Sequence, residues 1–245
     1  MKDILEELTA MRREDAERRI PARRPFAEAL SGASGGSIRI IAELKRASPS
    51  EGMIREDFRP VELARELESA GAAALSVLCE PHRFLGGEEY LRGVRGATRL
   101  PILYKDFIST PRQVAEAFAA GADAILLIAA VLDDATLARL LSLARDIGLD
   151  ALVETHDERE IKRAVDAGAW IVGVNCRDLR DFSCDVSLLE RLVGQIPRPR
   201  IRVAESGMRT REAILRAKAA GADAFLVGTA LMRHVSPGEK LKELI

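Results

Sequence analysis

The sequence predicts an α/β fold of the (β/α)8 TIM-barrel class, preceded by an N-terminal helical extension. The first observation is the length, because 245 residues suit a single barrel domain. The second is a unit of helix end, glycine turn and short apolar strand that occurs four times. The third is a set of four further apolar strands, of which one precedes the first repeat and the others lie between successive repeats. Eight strand–helix units in about 210 residues indicate a parallel sheet covered by helices and closed into a barrel.

The repeats account for four of the eight strands. They read SAGAAALSVL, AAGADAILLI, DAGAWIVGVN and AAGADAFLVG. Their glycines lie 50, 47 and 53 residues apart, which leaves room for a second strand–helix unit in each interval (Gly71, Gly121, Gly168 and Gly221). The other four strands are predicted at IRIIAEL (38–44), LPILYKD (100–106), LDALVE (149–154) and IRVAES (201–206).

Helical patterns separate these strands. TPRQVAEAFAAG and DEREIKRAVDAG are examples that begin at Thr or Asp and end at Gly, as capped helices do. The alternative fold is a doubly wound open sheet. That fold usually has fewer strands and often a G-x-G-x-x-G turn, which this sequence lacks.

A single domain is predicted over residues 1–245, with a helical extension and link at 1–36 and the barrel at 37–245. Ile4, Leu5, Leu8 and Met11 form an apolar stripe, which predicts a helix that packs on the barrel as a flap or plug. The alternative is a solvated tail.

Composition narrows the functional classes. The 37 basic and 38 acidic residues give a net charge of −1, which indicates neither nucleic-acid nor membrane binding. The N-terminus lacks a secretory signal, and no apolar run approaches the roughly 18 residues that span a bilayer. Three cysteines without a C-x-x-C pair indicate neither a disulfide framework nor a zinc site. We therefore expect a cytoplasmic protein.

Polar residues gather at the predicted strand ends, where barrel enzymes place their chemistry. Burying unpaired charge is costly, so this convergence indicates a site. Salt bridges that cap the barrel are the alternative for any single residue. The polar residues, in strand order, are Glu43, Lys45 and Ser48; Cys79 and Glu80; Lys105 and Asp106; Glu154; Asn175 and Arg177; and Glu205.

The last two strand ends predict a phosphate site. AESGM and LVGTALMR each place glycine and a hydroxyl residue before a helix, through Ser206, Gly207, Gly228 and Thr229. Backbone N–H groups in such turns bind anions, and the last two loops of these barrels commonly hold phosphate. The alternative is that the glycines only permit tight turns.

Several motifs together resemble the indole-3-glycerol phosphate synthase family of tryptophan biosynthesis. They are IIAELKRASPSEG, ILYKDFI, LVETHDE, GVNCRDLRDF, VAESGM and LVGTALMR, in order over essentially the whole chain. The resemblance implies a carboxy-lyase that converts 1-(2-carboxyphenylamino)-1-deoxyribulose 5-phosphate to indole-3-glycerol phosphate, CO2 and water. It implies no metal and no organic cofactor. The implied partner is the small phosphorylated substrate, and we expect a monomer or an association with other tryptophan-pathway enzymes.

The resemblance also implies roles for residues that match the motifs. Lys105 is the general acid of ring closure, and a pKa lowered by its surroundings would suit that task. Glu154 is the general base of dehydration, Glu43 a partner carboxylate, and Asn175 a hydrogen-bonding partner of the substrate or Glu154. Lys45 contacts substrate anions and assists dehydration, and the division of acid duties between the two lysines is left open.

The remaining implied residues bind substrate. Ser48 lies near the anthranilate carboxylate, Arg177 braces Asn175, and Glu205 pairs with a lysine. An apolar wall around the aryl ring is expected from Phe84, Phe107 and Leu127, with core packing as the alternative. Phosphate is expected to bind at Lys45, Ser206, Gly207, Gly228 and Thr229.

Some residues depart from the family pattern. Cys79, His82 and Arg83 replace the residues usual in the second loop, which puts the rim of the aryl pocket in question, and Cys176 is expected to point away from the site. His82 and His156 are interpreted as surface or loop residues, and Asp106 as structural.

A phosphoribosylanthranilate isomerase would need an Asp and a Cys that are not found at matching strand ends. A barrel that binds without turnover would be expected to lack Lys105 or Glu154.

Overall fold

Eight parallel strands close into a barrel in the computed structural model, which describes residues 22–31, 37–177 and 185–245. Each strand pairs with the next along the chain, and the last pairs with the first. The predicted (β/α)8 fold class is therefore confirmed. The barrel strands are β1 (Ile40–Leu44), β2 (Ala74–Leu78), β3 (Ile102–Lys105), β4 (Ala124–Ile128), β5 (Asp150–Thr155), β6 (Ile171–Asn175), β7 (Ile201–Glu205) and β8 (Ala224–Val227).

A two-stranded antiparallel hairpin follows β1, at Ala47–Ser48 and Gly52–Met53. The helices of the described residues lie mostly between successive strands. They are α1 (Phe26–Leu30), α2 (Pro60–Ser69), α3 (Glu88–Ala97), α4 (Pro111–Ala120), α5 (Asp134–Asp146), α6 (Glu158–Asp166), α7 (Val186–Val193), α8 (Arg211–Ala219), α9 (Thr229–Met232) and α10 (Pro237–Leu244).

The four repeat glycines share a backbone conformation. Their φ angles are 98°, 94°, 87° and 111° at Gly71, Gly121, Gly168 and Gly221. Each follows the end of a helix, where a left-handed residue turns the chain back toward the next strand. The sequence repeat is therefore a repeat of helix ends.

Two apolar cores divide the strand residues between them. The larger core lies between strands and helices, and the smaller one fills the barrel interior. In β4 the alternation of side chains sends Ala124, Leu126 and Ile128 inward, whereas Ile125 and Leu127 join the outer core. Because both faces of the strand are buried, all five residues are apolar.

Helix α1 fills one end of the barrel interior. Phe26 and Leu30 are almost fully buried and belong to the inner core. Backbone N–H groups in this segment donate to carboxylates at the strand starts: Arg24 to Asp123 at 2.7 Å and Ala27 to Asp150 at 2.9 Å. Part of the extension predicted at 1–36 is thus integral to the barrel, while the apolar stripe of Ile4, Leu5, Leu8 and Met11 lies outside the described residues.

The cysteines differ from the expectation. Cys176 is disulfide-bonded, whereas Cys79 is a buried free thiol. The sequence had indicated no disulfide framework, so the bond at Cys176 was not predicted. Within the described ranges, no helix has the length and apolar character needed to cross a bilayer.

Candidate active site

A cavity of about 340 Å³ opens at the carboxyl ends of the barrel strands. Most of the residues predicted for a site line it, although they come from seven of the eight strands and the loops that follow. The predicted residues in the lining are Glu43, Lys45, Ser48, Phe84, Lys105, Phe107, Glu154, Asn175, Arg177, Glu205, Ser206, Gly207, Gly228 and Thr229.

Lys105 lies at the centre of a buried ion network. Its Nζ is 2.9 Å from Glu154 Oε2 and 3.1 Å from Glu205 Oε2. Lys105 and Glu205 end β3 and β7, and Glu154 lies one residue before the end of β5, so the closed barrel brings together groups that are distant in sequence. A second pair stands beside them, with Lys45 Nζ 2.7 Å from Glu43 Oε1. These ion pairs therefore set two ammonium groups against three carboxylates.

The pKa of Lys105 is raised in this network. Burial alone lowers the pKa of the ammonium, but the charges of Glu154, Glu205 and Glu43 together outweigh that effect. The expectation of a lowered pKa was therefore wrong. Lys105 stands ready as a charged proton donor.

The two carboxylates that hold Lys105 differ in their own pKa. Burial raises both, but Glu154 also receives a hydrogen bond from Asn175 Nδ2 at 3.1 Å, and the charges of Lys105 and His156 bring its pKa below the ordinary value. Glu205 has a pKa raised to about 7, because burial and the Glu154 charge exceed the attraction of Lys105. Within the described residues no donor reaches Glu205 Oε1. Glu154 is therefore ionised at neutral pH and can act as a base. Glu205 gains or loses its proton near neutral pH.

Replacing Glu205 with glutamine is expected to change how stability depends on pH. A carboxyl whose pKa is raised from 4.5 to about 7 binds a proton more tightly in the folded state. It therefore lowers the free energy of unfolding as the pH rises through this window. Glu205→Gln is expected to match the parent protein at pH 4.5 and to be more stable at pH 8, by roughly 2–3 kcal/mol. Urea unfolding at both pH values measures this, and equal pH slopes in the two proteins would contradict it.

Gly173 makes room for the Glu205 carboxylate. A Cβ atom at this position of β6 would lie 2.0 Å from Glu205 Oε1. Gly228 does the same for Glu43, whose Oε1 would lie 2.4 Å from a Cβ there. Each glycine thus leaves space for a carboxylate at the carboxyl end of the barrel. A larger residue at either position would collide with that carboxylate.

Asn175 is held by its own loop. Its Oδ1 accepts the backbone N–H of Arg177 at 3.0 Å, which directs its Nδ2 toward Glu154. The Arg177 guanidinium donates to Ser50 Oγ at 3.3 Å and so contacts the loop after β1. Ser50 was not predicted, and it lies two residues beyond the predicted Ser48 in the same motif.

The turn after β7 has a rare backbone conformation. Ser206 and Gly207 have φ angles of 63° and 70°. A positive φ is uncommon outside glycine, and such residues concentrate at functional sites. The turn lines the cavity together with Gly228 and Thr229 after β8, and Arg209 adds a positive charge that was not predicted.

The apolar wall differs in one residue from the expectation. Phe84 and Phe107 lie on the cavity with ring centroids 6.3 Å apart. Leu127 is fully buried in the outer core, so its predicted place in the wall was wrong. Its neighbours Leu126 and Ile128 face the cavity instead. The prediction differed from the structure by one residue, because neighbouring residues of a strand point to opposite faces.

The second loop is organised by Glu80. Its carboxylate accepts the backbone N–H groups of His82, Arg83 and Phe84 at 2.7–2.9 Å. These bonds lower its pKa against the opposing effect of burial. Because they involve backbone groups, the loop can hold Phe84 on the cavity whatever side chains stand at 82 and 83. Cys79 is buried in the outer core and does not form the rim.

Two further residues differ in part from their interpretation. Asp106 lines the cavity, although strand parity had placed it on the opposite side, because β3 ends at Lys105 and parity no longer applies. The His156 side chain is only 18% exposed and has its Nε2 3.5 Å from Glu154 Oε1. His156 is a loop residue, as interpreted, because it lies between β5 and α6, but its side chain is mostly buried and folds back toward Glu154.

Comparison with known proteins identifies close relatives. The family model described as indole-3-glycerol phosphate synthase matches residues 2–244. A protein of that name from Campylobacter curvus is 50% identical over 211 residues, covering 86% of this chain and 81% of the relative. Another from Acidithiobacillus ferrooxidans is 44% identical over 260 aligned positions, covering 100% of this chain and 99% of the relative.

Solved structures of lower identity share the fold. A 3-hexulose-6-phosphate synthase from Salmonella typhimurium superposes with a TM-score of 0.68 at 16% identity, covering 84% of this chain and 96% of that one. A thiamine phosphate pyrophosphorylase from Pyrococcus furiosus gives 0.63 at 19% identity, covering 84% and 93%. At these identities the likeness concerns the barrel alone.

Proposed function

The chain belongs to the indole-3-glycerol phosphate synthase family, and we propose that it converts 1-(2-carboxyphenylamino)-1-deoxyribulose 5-phosphate to indole-3-glycerol phosphate, CO2 and water. One observation supports this above the others: a charged lysine is held between two buried carboxylates, in a cavity that is lined by aromatic rings and by the glycine turns after β7 and β8. That arrangement fits a reaction made of successive proton transfers to and from a substrate that is both aromatic and phosphorylated.

Ring closure needs an acid at the ketone oxygen. As the aryl ring attacks the carbonyl carbon, negative charge develops on that oxygen, and we assign Lys105 Nζ to protonate it. An alkoxide is a stronger base than an amine, so the raised pKa of Lys105 does not prevent this transfer. It ensures that the donor is charged when substrate arrives. CO2 then leaves, and the electron pair of the broken bond restores the aromatic ring.

Dehydration needs a base and an acid together. We assign Glu154 as the base, because it is ionised by its contacts with Lys105 and Asn175. The departing hydroxyl takes a proton from a lysine, and both Lys105 and Lys45 face the cavity. Glu43, 2.7 Å from Lys45, stabilises that ammonium and the positive charge that develops on the substrate nitrogen.

Binding groups are assigned by their chemistry. Phosphate is proposed to bind to the turns at Ser206–Gly207 and Gly228–Thr229, with Lys45 as a cationic contact. The aryl ring is proposed to lie against Phe84 and Phe107, with Ser48 near its carboxylate. Arg177 and Glu205 hold Asn175 and Lys105 in place.

The proposed function is tested by incubating the purified protein with the carboxyphenylamino-deoxyribulose phosphate. We expect indole fluorescence to rise, and one CO2 to be released for each indole-3-glycerol phosphate formed. The same substrate without phosphate is the matched control, and it should bind more weakly because the turns proposed to bind phosphate are left empty. Folded protein that yields neither fluorescence nor CO2 would overturn the assignment.

A further inference from the structure

His156 is placed to connect the proposed base with solvent. It directly follows β5, and its ring lies between two carboxylates: Nδ1 is 3.1 Å from Glu160 Oε2, and Nε2 is 3.5 Å from Glu154 Oε1. The backbone N–H of His156 donates to the same Glu160 oxygen at 2.8 Å. Glu160 of helix α6 therefore contacts both the backbone and the ring of His156, and Nε2 of the ring is directed toward Glu154.

These contacts determine which ring nitrogen carries a proton. An ionised carboxylate only accepts hydrogen bonds, so Nδ1 must donate to Glu160. Nε2 is then free to hold or release a proton, and among the described residues it makes no hydrogen bond. The 3.5 Å separation exceeds a hydrogen bond, and a small rotation of the ring closes it.

The charged groups that act on His156 are Glu154, Glu160 and Glu205. Burial lowers the pKa of His156, but the hydrogen bond to Glu160 and these three carboxylates raise it overall. The shift favours the imidazolium form of the ring, in which Nε2 carries a proton.

The proposed reaction consumes one proton from solution in each turnover. Ring closure gives one proton to the carbonyl oxygen, and dehydration gives a second to the departing hydroxyl. The base recovers only one from the ring-closed intermediate. The carboxylate leaves as neutral CO2 without taking or giving a proton. One proton must therefore enter from solvent to restore the lysines.

Substrate in the cavity obstructs the direct route for that proton. Lys105 and Glu154 have side chains only 14% and 4% exposed, and both face the cavity that substrate fills. His156 is not among the described residues that line this cavity, yet its side chain remains 18% exposed. Part of the ring therefore contacts solvent outside this cavity, although Nε2 itself is buried.

We propose that His156 is a positioning residue that orients Glu154 and returns protons to it from solvent, an inference that depends on the proposed function. The proton moves from His156 Nε2 to Glu154 Oε1; the Glu154 carboxyl then turns about its Cγ–Cδ bond and passes that proton to Lys105 Nζ, which lies 2.9 Å from the Oε2 position. The His156 ring then turns until Nε2 reaches its solvent-exposed side, where Nε2 takes a new proton from water or a buffer acid. No other bond changes, and the charge removed from solvent equals that consumed by decarboxylation.

The first test is His156→Ala, assayed with and without added imidazole. We expect kcat to fall roughly 10- to 100-fold with KM nearly unchanged. Imidazole should restore kcat in a saturable way, because imidazolium can occupy the vacated space and deliver the proton. An unchanged kcat, or a loss that imidazole does not reverse in a folded variant, would refute the relay.

The second test alters the charge that holds His156. Glu160→Gln keeps an oxygen that accepts both N–H groups but removes the charge that raises the pKa of His156. We expect the alkaline limb of the kcat–pH profile to move to lower pH, while KM stays the same. A profile identical to that of the parent protein would count against the proposal.

His82→Asn is the matched control, since His82 is exposed and is one of the chain's three histidines. It should leave kcat unchanged and insensitive to imidazole. Circular dichroism and Tm verify that each variant is folded. The parent protein separates the two claims: if it fails to turn over, the proposed function fails, whereas an active parent with an unaffected His156→Ala variant refutes only the relay.

Discussion

Lys105→Ala is expected to abolish both products of the reaction. Without the ammonium, the ketone oxygen has no donor during ring closure, and kcat should fall by about 10²–10⁴ or more. Because decarboxylation follows ring closure, CO2 release should fall with indole fluorescence in the same proportion. Single-turnover measurement of both signals tests this, and CO2 release at the parent rate would show that Lys105 does not act in the first step.

The same change should also alter the carboxylates around it. Removing Lys105 leaves Glu154 and Glu205 buried near each other without the charge that compensates both. Like charges in one site cannot both ionise readily, so the pair is expected to retain a proton at neutral pH. The variant should therefore lose more stability than the parent between pH 6 and pH 8. Lys162→Ala, on an exposed surface, is the matched control and should change neither activity nor this pH dependence.

The barrel was predictable because its signal is repeated. Glycine at four helix ends and apolar strands at regular spacing reflect the same physical requirement, a left-handed turn before a buried strand. The convergence of Glu43, Lys105 and Glu154 follows from that topology, since parallel strands present their ends on one face. Most residues of the site could therefore be predicted from the sequence.

Other features depend on information that no strand pattern contains. Leu126 and Leu127 are indistinguishable in sequence because both faces of β4 are buried, so the parity of the wall could not be fixed. The pKa of Lys105 depends on how many carboxylates surround it and how deeply they are buried. The inward fold of His156 depends on Glu160 four residues later, a spacing that was visible but also fits an ordinary surface pair.

The N-terminal plug illustrates a different limit. FAEAL is too short to show a helical period, and a sequence pattern does not reveal that Phe26 and Leu30 enter the barrel interior. The charges at the strand starts gave an indirect signal, since Asp123 and Asp150 are polar residues beside apolar strands. Both accept backbone N–H groups of a distant segment, and Asp123 also accepts from Arg95 and Ile102; only the folded chain brings these groups near.

Glu154→Gln is expected to separate the two products that Lys105→Ala removes together. The amide cannot take a proton, so dehydration should slow by about 10²–10⁴. Lys105 keeps Glu205 as a partner at 3.1 Å and can still protonate the ketone oxygen. Ring closure and decarboxylation should therefore proceed once, giving a burst of CO2 close to one equivalent without indole fluorescence.

Glu158→Gln, an exposed position on the following helix, is the matched control and should release both products at the parent rate. If Glu154→Gln instead lost CO2 release and fluorescence equally, Glu154 would act before decarboxylation, and its assignment to dehydration would be wrong. The contrast between the two variants is sharper than either alone, because both residues belong to one ion pair. A general collapse of that pair would give both variants the same defect, whereas separate acid and base roles give them different product ratios.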